Sequence, residues 1–121
     1  MRVVNVTKGT VVAESVREAR TFWTRVVGLL GKRGLRPSEG LMLMPSASIH
    51  TLFMRFAIDV VFVDGENRVV RTVSALRPFR VAFGGRGARA VLELPVGSIL
   101  ASATGRDDLL RFGPAERSSG Q

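Results

Sequence analysis

Ile58-Asp59-Val60-Val61-Phe62-Val63 is apolar at every position but one and rich in β-branched and aromatic residues. A run of this length with apolar side chains on both faces predicts a strand buried from both sides, in the middle of a sheet rather than at its edge. Asp64-Gly65-Glu66-Asn67 follows directly and supplies the residue types of a tight hairpin turn. Residues 68–75 are then expected to return as the partner strand, with Val69, Val70 and Val73 available for packing.

Working outward from this hairpin, residues 41–44 form a short apolar strand ended by Pro45, and residues 49–56 are expected to be extended. On the other side the pattern lapses over residues 76–87. Pro78 and Gly84-Gly85-Arg86-Gly87 predict a flexible loop there. Residues 90–94 read as another strand, Pro95-Val96-Gly97 as a turn, residues 98–103 as one short helical turn, and residues 109–112 as a last strand. At the start of the chain, residues 2–7 and 10–13 flank Lys8-Gly9 as a hairpin.

Ser15-Val16-Arg17-Glu18 has the form of a capping box, in which the Ser hydroxyl accepts from the Glu amide and the Glu side chain reaches back to the Ser amide. The apolar positions that follow are Val16, Ala19, Phe22, Trp23, Val26, Val27 and Leu30. Their three-and-four spacing predicts a helix with one buried stripe, stopped at Gly31. Lys32 to Glu39 then reads as a basic loop. The expected fold is α+β and mostly β: a curled mixed or antiparallel sheet, barrel-like, with one amphipathic N-terminal helix. Val60, Phe62, Val70, Leu92 and the Phe22/Trp23 stripe are expected in its core. Residues 1–112 are expected to make one domain and residues 113–121 a frayed polar tail.

The composition supports a folded domain, since 45% of the 121 residues are apolar. The absence of cysteine removes disulfides, thiolate zinc sites and cysteine nucleophiles, without fixing a compartment. No apolar run approaches the roughly 20 residues that span a bilayer. Met1-Arg2-Val3-Val4-Asn5-Val6 is not the start of a signal peptide. The expectation is therefore a soluble, cytoplasmic protein.

The net charge is +8, from 18 basic and 10 acidic residues. Much of the excess is local: Arg77, Arg80, Arg86 and Arg89 lie in a stretch without a single acid from Leu76 to Leu92. Lys32, Arg33 and Arg36 make a second cluster, offset by Glu39. Such a distribution suits an acidic protein, a nucleic acid or an anionic small molecule. The competing explanation is solubility in an arginine-rich composition, for the chain has 16 Arg, two Lys and 13 Gly.

Several pieces, in order, resemble the DUF192 family: Gly28-Leu29-Leu30-Gly31, Glu39-Gly40-Leu41-Met42-Leu43, the run Ser48-Ile49-His50-Thr51-Leu52-Phe53-Met54-Arg55-Phe56-Ala57-Ile58-Asp59-Val60-Val61-Phe62-Val63-Asp64, and Val91-Leu92-Glu93-Leu94-Pro95-Val96-Gly97. Ala57 departs from the pattern, which usually has proline before the Ile-Asp pair. The resemblance implies a small β-rich α+β domain. It supplies no reaction, cofactor or catalytic residue, so no site is carried over from it.

The residues themselves offer two constellations. His50 is the one histidine, and a general base near neutral pH is most often histidine. A small hydrolase-like enzyme would use His50 with Asp59 or Glu93. Thr51 directly follows His50, and adjacent side chains of a strand point to opposite faces, which argues against a His50–Thr51 pair. Asp59 and Glu93 each sit between apolar neighbours, so partial burial is expected, and Arg55 lies four residues before Asp59 as a bidentate partner. The expected polar cluster is His50, Arg55, Asp59 and Glu93, structural by default.

The second constellation is the anion-binding set Arg77, Arg80, Arg86 and Arg89, around the glycine cluster and interleaved with Phe79 and Phe83. Interleaved aromatics and cations suit single-stranded nucleic acid. The plainer reading is that the two rings anchor the loop to the core. A metal site built on His50, Asp59, Asp64 and Glu66 is not favoured, because Asp64 and Glu66 read as turn residues. No cofactor is expected. The reading reached from sequence is a non-enzymatic binding or accessory domain with a basic surface, with the hydrolase as the alternative.

Overall fold

The computed structural model describes residues 1–19, 35–51 and 54–114. Among these, ten strands and one short helix follow in the order β1 (Arg2–Asn5), β2 (Thr10–Ala13), β3 (Ser15–Ala19), β4 (Glu39–Leu43), β5 (Ser48–His50), β6 (Ile58–Val63), β7 (Val69–Leu76), β8 (Val81–Phe83), β9 (Ala90–Leu94), α1 (Ser98–Ser102) and β10 (Leu110–Gly113). They form a five-stranded sheet β3-β4-β9-β6-β7, a three-stranded sheet β10-β1-β2 and a two-stranded ribbon β5-β8.

The apolar run chosen first is the strand it promised to be. β6 is flanked by β9 and β7, and all six of its residues are buried. β9 is buried throughout as well. The two strands separate two cores because alternate side chains leave opposite faces. Val61, Val63, Leu92 and Leu94 face Val3, Val12, Leu110 and Ile99. Val60, Phe62 and Val91 face Ile49, Ala82 and Ala88. Burial of a side chain such as Phe62 contributes about 1.5–3 kcal/mol. Gly84 lets the backbone after β8 lie directly on that ring: a Cβ there would stand 2.6 Å from Phe62 Cδ1.

The hairpins expected at Lys8-Gly9 and Asp64-Asn67 both form. In the second, Asp64 Oδ1 accepts from the amides of Glu66 and Arg68, each at 2.9 Å. The extended segment expected over residues 49–56 is shorter in the fold. β5 ends at His50, and the chain bends at Arg55-Phe56.

Two parts of the expected fold class are corrected. A helix does not begin at Ser15: residues Ser15–Ala19 are β3, paired in parallel with β4. The Ser15 amide, which a capping box would return to Glu18, donates instead to the Ser38 carbonyl at 3.0 Å, and the Val16 amide donates to the Met1 carbonyl at 2.7 Å. Pairing with residues distant in sequence supplied the partners that the local motif competes for. The remaining stripe positions, Phe22 to Leu30, lie outside the described residues. The sheet is not barrel-like either. Among the described residues the three sheets are separate and no closed barrel forms; an isolated bridge, Arg68 with Leu109, joins the ends of the three- and five-stranded sheets. The described residues are thus mostly β, with one helix of five residues in the C-terminal half. None of their helices is long and apolar enough to cross a membrane.

The three-stranded sheet is tied to the segment after α1 by a buried polar network. Asp108 accepts from Lys8 Nζ at 2.8 Å, Asn5 Nδ2 at 2.9 Å and the Gly105 amide at 2.9 Å. Burial pushes its carboxyl up, but the bonds from Lys8, Asn5 and Gly105, with the charge of Lys8, outweigh that and hold it below the ordinary carboxylate value. A carboxyl depressed in the folded state adds stability above its unfolded pKa and loses it as pH falls through the folded value. Asp108→Asn should therefore melt below the parent at pH 7, with the gap closing as pH falls below about 4. Parallel melting curves from pH 7 to 2 would contradict this linkage.

Candidate functional site

β6 brings Asp59 into the core as the polar exception of an apolar strand. Its side chain is 1% exposed. Oδ1 accepts from the Ala75 amide at 2.9 Å, and Oδ2 from the amides of Gly97 at 3.1 Å and Ile99 at 3.0 Å. Both oxygens are engaged by backbone. One carboxylate thereby fixes the end of β7 and the turn into α1 against β6. Ala75 and Gly97 both hold left-handed backbone, with φ of 51° and 101°. The carboxylate supplies the acceptor that those displaced amides need.

The four members of the expected polar cluster are placed differently from one another. Asp59 pairs across the sheet with Leu94, and Glu93 pairs with Val60, so the two carboxylates leave opposite faces. Glu93 is fully buried in the middle of β9. Arg55 is exposed and makes none of the bonds that Asp59 accepts. The reason is the bend at Arg55-Phe56, since a four-residue separation keeps two side chains on one face only in an extended chain. His50 is half-buried at the end of β5, paired with Val81. Among the described residues, no three His, Asp or Glu side chains gather in a way that could hold a metal ion.

Thr51, set aside from sequence as a partner for His50, has a different task. It is fully buried. Its hydroxyl donates to the Arg77 carbonyl at 2.6 Å and accepts from the Arg80 amide at 2.9 Å. Its carbonyl accepts from the Phe79 amide at 2.9 Å, and its own amide donates to the Arg80 carbonyl at 2.9 Å. These bonds pin the basic loop to the core and turn its side chains outward.

That loop carries a strand the sequence did not reveal. β8 pairs with β5, and its inner residue Ala82 packs in the core beneath Phe62. Phe79, Val81 and Phe83 are 69%, 53% and 63% exposed. The two rings therefore do not anchor the loop: the alternation of β8 around Ala82 turns Phe83 outward, and Phe79 stands in the turn before the strand. Arg77, Arg80, Arg86 and Arg89 are all exposed, and among the described residues none of them forms a salt bridge. Beside Phe83 runs an open groove of about 530 Å³ lined by Val70, Arg71, Thr72, Gly84, Gly85, Arg86, Arg106 and Asp107. Arg71 Nη1 donates to the Phe83 carbonyl, which joins ring and groove. Arg71 and Arg106 were not singled out from sequence: Arg71 lies in the return strand of the hairpin, and Arg106 stands next to Asp107 and Asp108.

The profile of the DUF192 family, described as an uncharacterized ACR, matches residues 3–112. A UPF0127 protein of Pyrococcus furiosus is 35% identical over 116 residues, covering 91% of this chain and 97% of that protein. The chain belongs to the DUF192 family. A UPF0127 protein of Thermococcus sibiricus is 38% identical over 105 residues, which are 80% of this chain and 65% of that relative's length. The fold is shared with a protein of unknown function from Novosphingobium aromaticivorans, at a TM-score of 0.78 and 23% identity, over 93% of this chain and 84% of that one. Residues quoted for the DUF192 pattern include Thr51, Asp59, Gly97 and the apolar positions of β6 and β9, which are the two knots and the sheet they hold.

Asp59→Ala should leave the amides of Ala75, Gly97 and the buried Ile99 without their acceptor, at a cost of about 3 kcal/mol. Urea denaturation of that variant is expected to show the loss directly. A midpoint equal to the parent's would mean that the carboxylate does not hold the β7 and α1 ends together.

Proposed function

We propose that this DUF192 domain is a non-enzymatic binding or accessory module whose working surface is the β8 ribbon and its flanking loops, recognising an anionic partner. One observation carries the reading: Arg77, Arg80, Arg86 and Arg89 stand exposed, among the described residues none of them forms a salt bridge, and Thr51 holds the part of the loop that bears Arg77, Phe79 and Arg80. Charges retained only for solubility need no such fixed display. Clustered arginine offers planar donor pairs matched to phosphate or carboxylate.

The hydrolase-like alternative loses one of its two carboxylates, because Asp59 is committed to three backbone amides. The Thr51 hydroxyl is committed as well. What remains of that reading is His50 with Glu93, and no further observation favours it.

The parent should be retained on heparin and elute earlier as salt rises, since each phosphate or sulfate contact releases a counterion. Replacing Arg80, Arg86 and Arg89 together by Ser should abolish retention while leaving the thermal melt unchanged, because all three side chains are exposed. Retention equal to the parent's would remove this loop as the acidic-partner surface.

A further inference from the structure

We propose that the exposed rings of Phe79 and Phe83, with the arginine groove beside Phe83, bind single-stranded nucleic acid. The proposal deepens the anionic-surface reading and rests on it.

The first support is the placement of the rings. Phe79 and Phe83 are among the most exposed large apolar residues of the described chain. Their exposure leaves most of the apolar area unused in folding. Phe79 also stands at φ 60°, in the left-handed region. A bulky side chain is costly there, and Gly or Asn would be easier. Neither packing nor backbone asks for an aromatic at this position. Such an outlier points to a role outside the fold.

The second support is the geometry around the rings. β8 presents Val81 and Phe83 on one side and Ala82 on the other, so the exposed side is a short platform about 7 Å from one side chain to the next. Arg80 and Arg77 flank it, and Arg71 bridges it to the groove by its bond to the Phe83 carbonyl. Gly85 bears no side chain where it lines the groove, and nothing lies within 4 Å of its missing Cβ. Three arginines, Arg71, Arg86 and Arg106, line the groove, and Asp107 is the acid among its described residues.

A linear polyphosphate can lie along a groove of this kind while its bases turn onto the rings. Base–aromatic stacking is tolerant of sequence, and the arginines supply backbone charge. A duplex keeps its bases stacked on each other and offers the rings no base face. A membrane would meet the rings but has no extended strand to enter the concave groove. Arginine rather than lysine throughout the site favours planar, bidentate contact with phosphate.

The test uses the full chain and a fluorescein-labelled 12-nucleotide oligothymidylate followed by anisotropy. The parent should bind it more tightly than a 12-base-pair duplex. If three arginines each neutralise a phosphate, log K against log salt should have a slope of about −2. Phe79→Leu with Phe83→Leu keeps apolar area but removes the stacking face. This pair should weaken oligothymidylate binding at least about tenfold, with heparin retention as in the parent. A Leu pair that binds like the parent, or a duplex bound as tightly as the single strand, overturns the proposal. So does ring-dependent cosedimentation with phosphatidylglycerol vesicles without oligonucleotide binding. Retention on heparin with no oligonucleotide binding sinks this proposal alone, whereas failure on both sinks the anionic-surface reading with it. A measurement without variants guards against misfolding: photocrosslinking of a 5-iodouracil oligonucleotide to the parent should place adducts on the peptides holding Phe79 or Phe83. Adducts confined to other peptides would refute the site.

Discussion

β6 and β9 are buried on both faces, so each polar group they carry must find its partner inside the protein. Asp59 is where that constraint is resolved most visibly. A carboxylate in a fully buried strand is costly unless it is hydrogen-bonded, and here three backbone amides from two other segments converge on it. Those amides belong to positions where the chain leaves regular structure, at the bulged end of β7 and in the turn before α1. The same contact that makes the buried charge tolerable thus fixes how the strands end.

Thr51 repeats the device on the other side of the sheet, with a hydroxyl in place of a carboxylate. It gathers the carbonyls and amides of residues 77–80 onto the end of β5. β8 can then lay Ala82 on the second core and send Val81 and Phe83 outward. The basic loop is consequently a shaped surface. Its backbone is held by Thr51 and, through Arg71, beside a groove built from β7, from the glycine turn and from the segment after α1. A binding module gains from such pre-organisation because less side-chain and loop freedom is lost on association.

The match to the DUF192 family, over residues 3–112, spans the sheet and its knots. The arginine and phenylalanine surface rests on other grounds, because it is argued from exposure and charge in this chain. The fold and the surface are linked through Thr51 and Gly84. The first ties the loop, and the second seats its backbone on Phe62.

The sequence by itself determined the strands whose periodicity is strong, the two hairpins, the short helical turn after Gly97 and the acid-free basic stretch. These are local properties: a run apolar on both faces, turn residues at fixed offsets, a charge count. It also showed that Asp59 and Glu93 would be taken into the core, though not what they would meet there. Only the tertiary structure decided the rest. Ser15 to Ala19 carries both a capping motif and two buried residues, Val16 and Ala19, three apart, a spacing that suits a helix and in a strand sends them to opposite faces. Parallel pairing with β4 settled it by taking the Ser15 amide. Arg55 and Asp59 parted because the chain bends between them, and Asp59 and Glu93 parted because cross-strand register places them on opposite faces. Phe79 and Phe83 look like core residues in one dimension. Phe83 is a surface residue because a three-residue strand, too short to register as a pattern, has one inner position, and Ala82 occupies it; Phe79 stands in the turn before that strand.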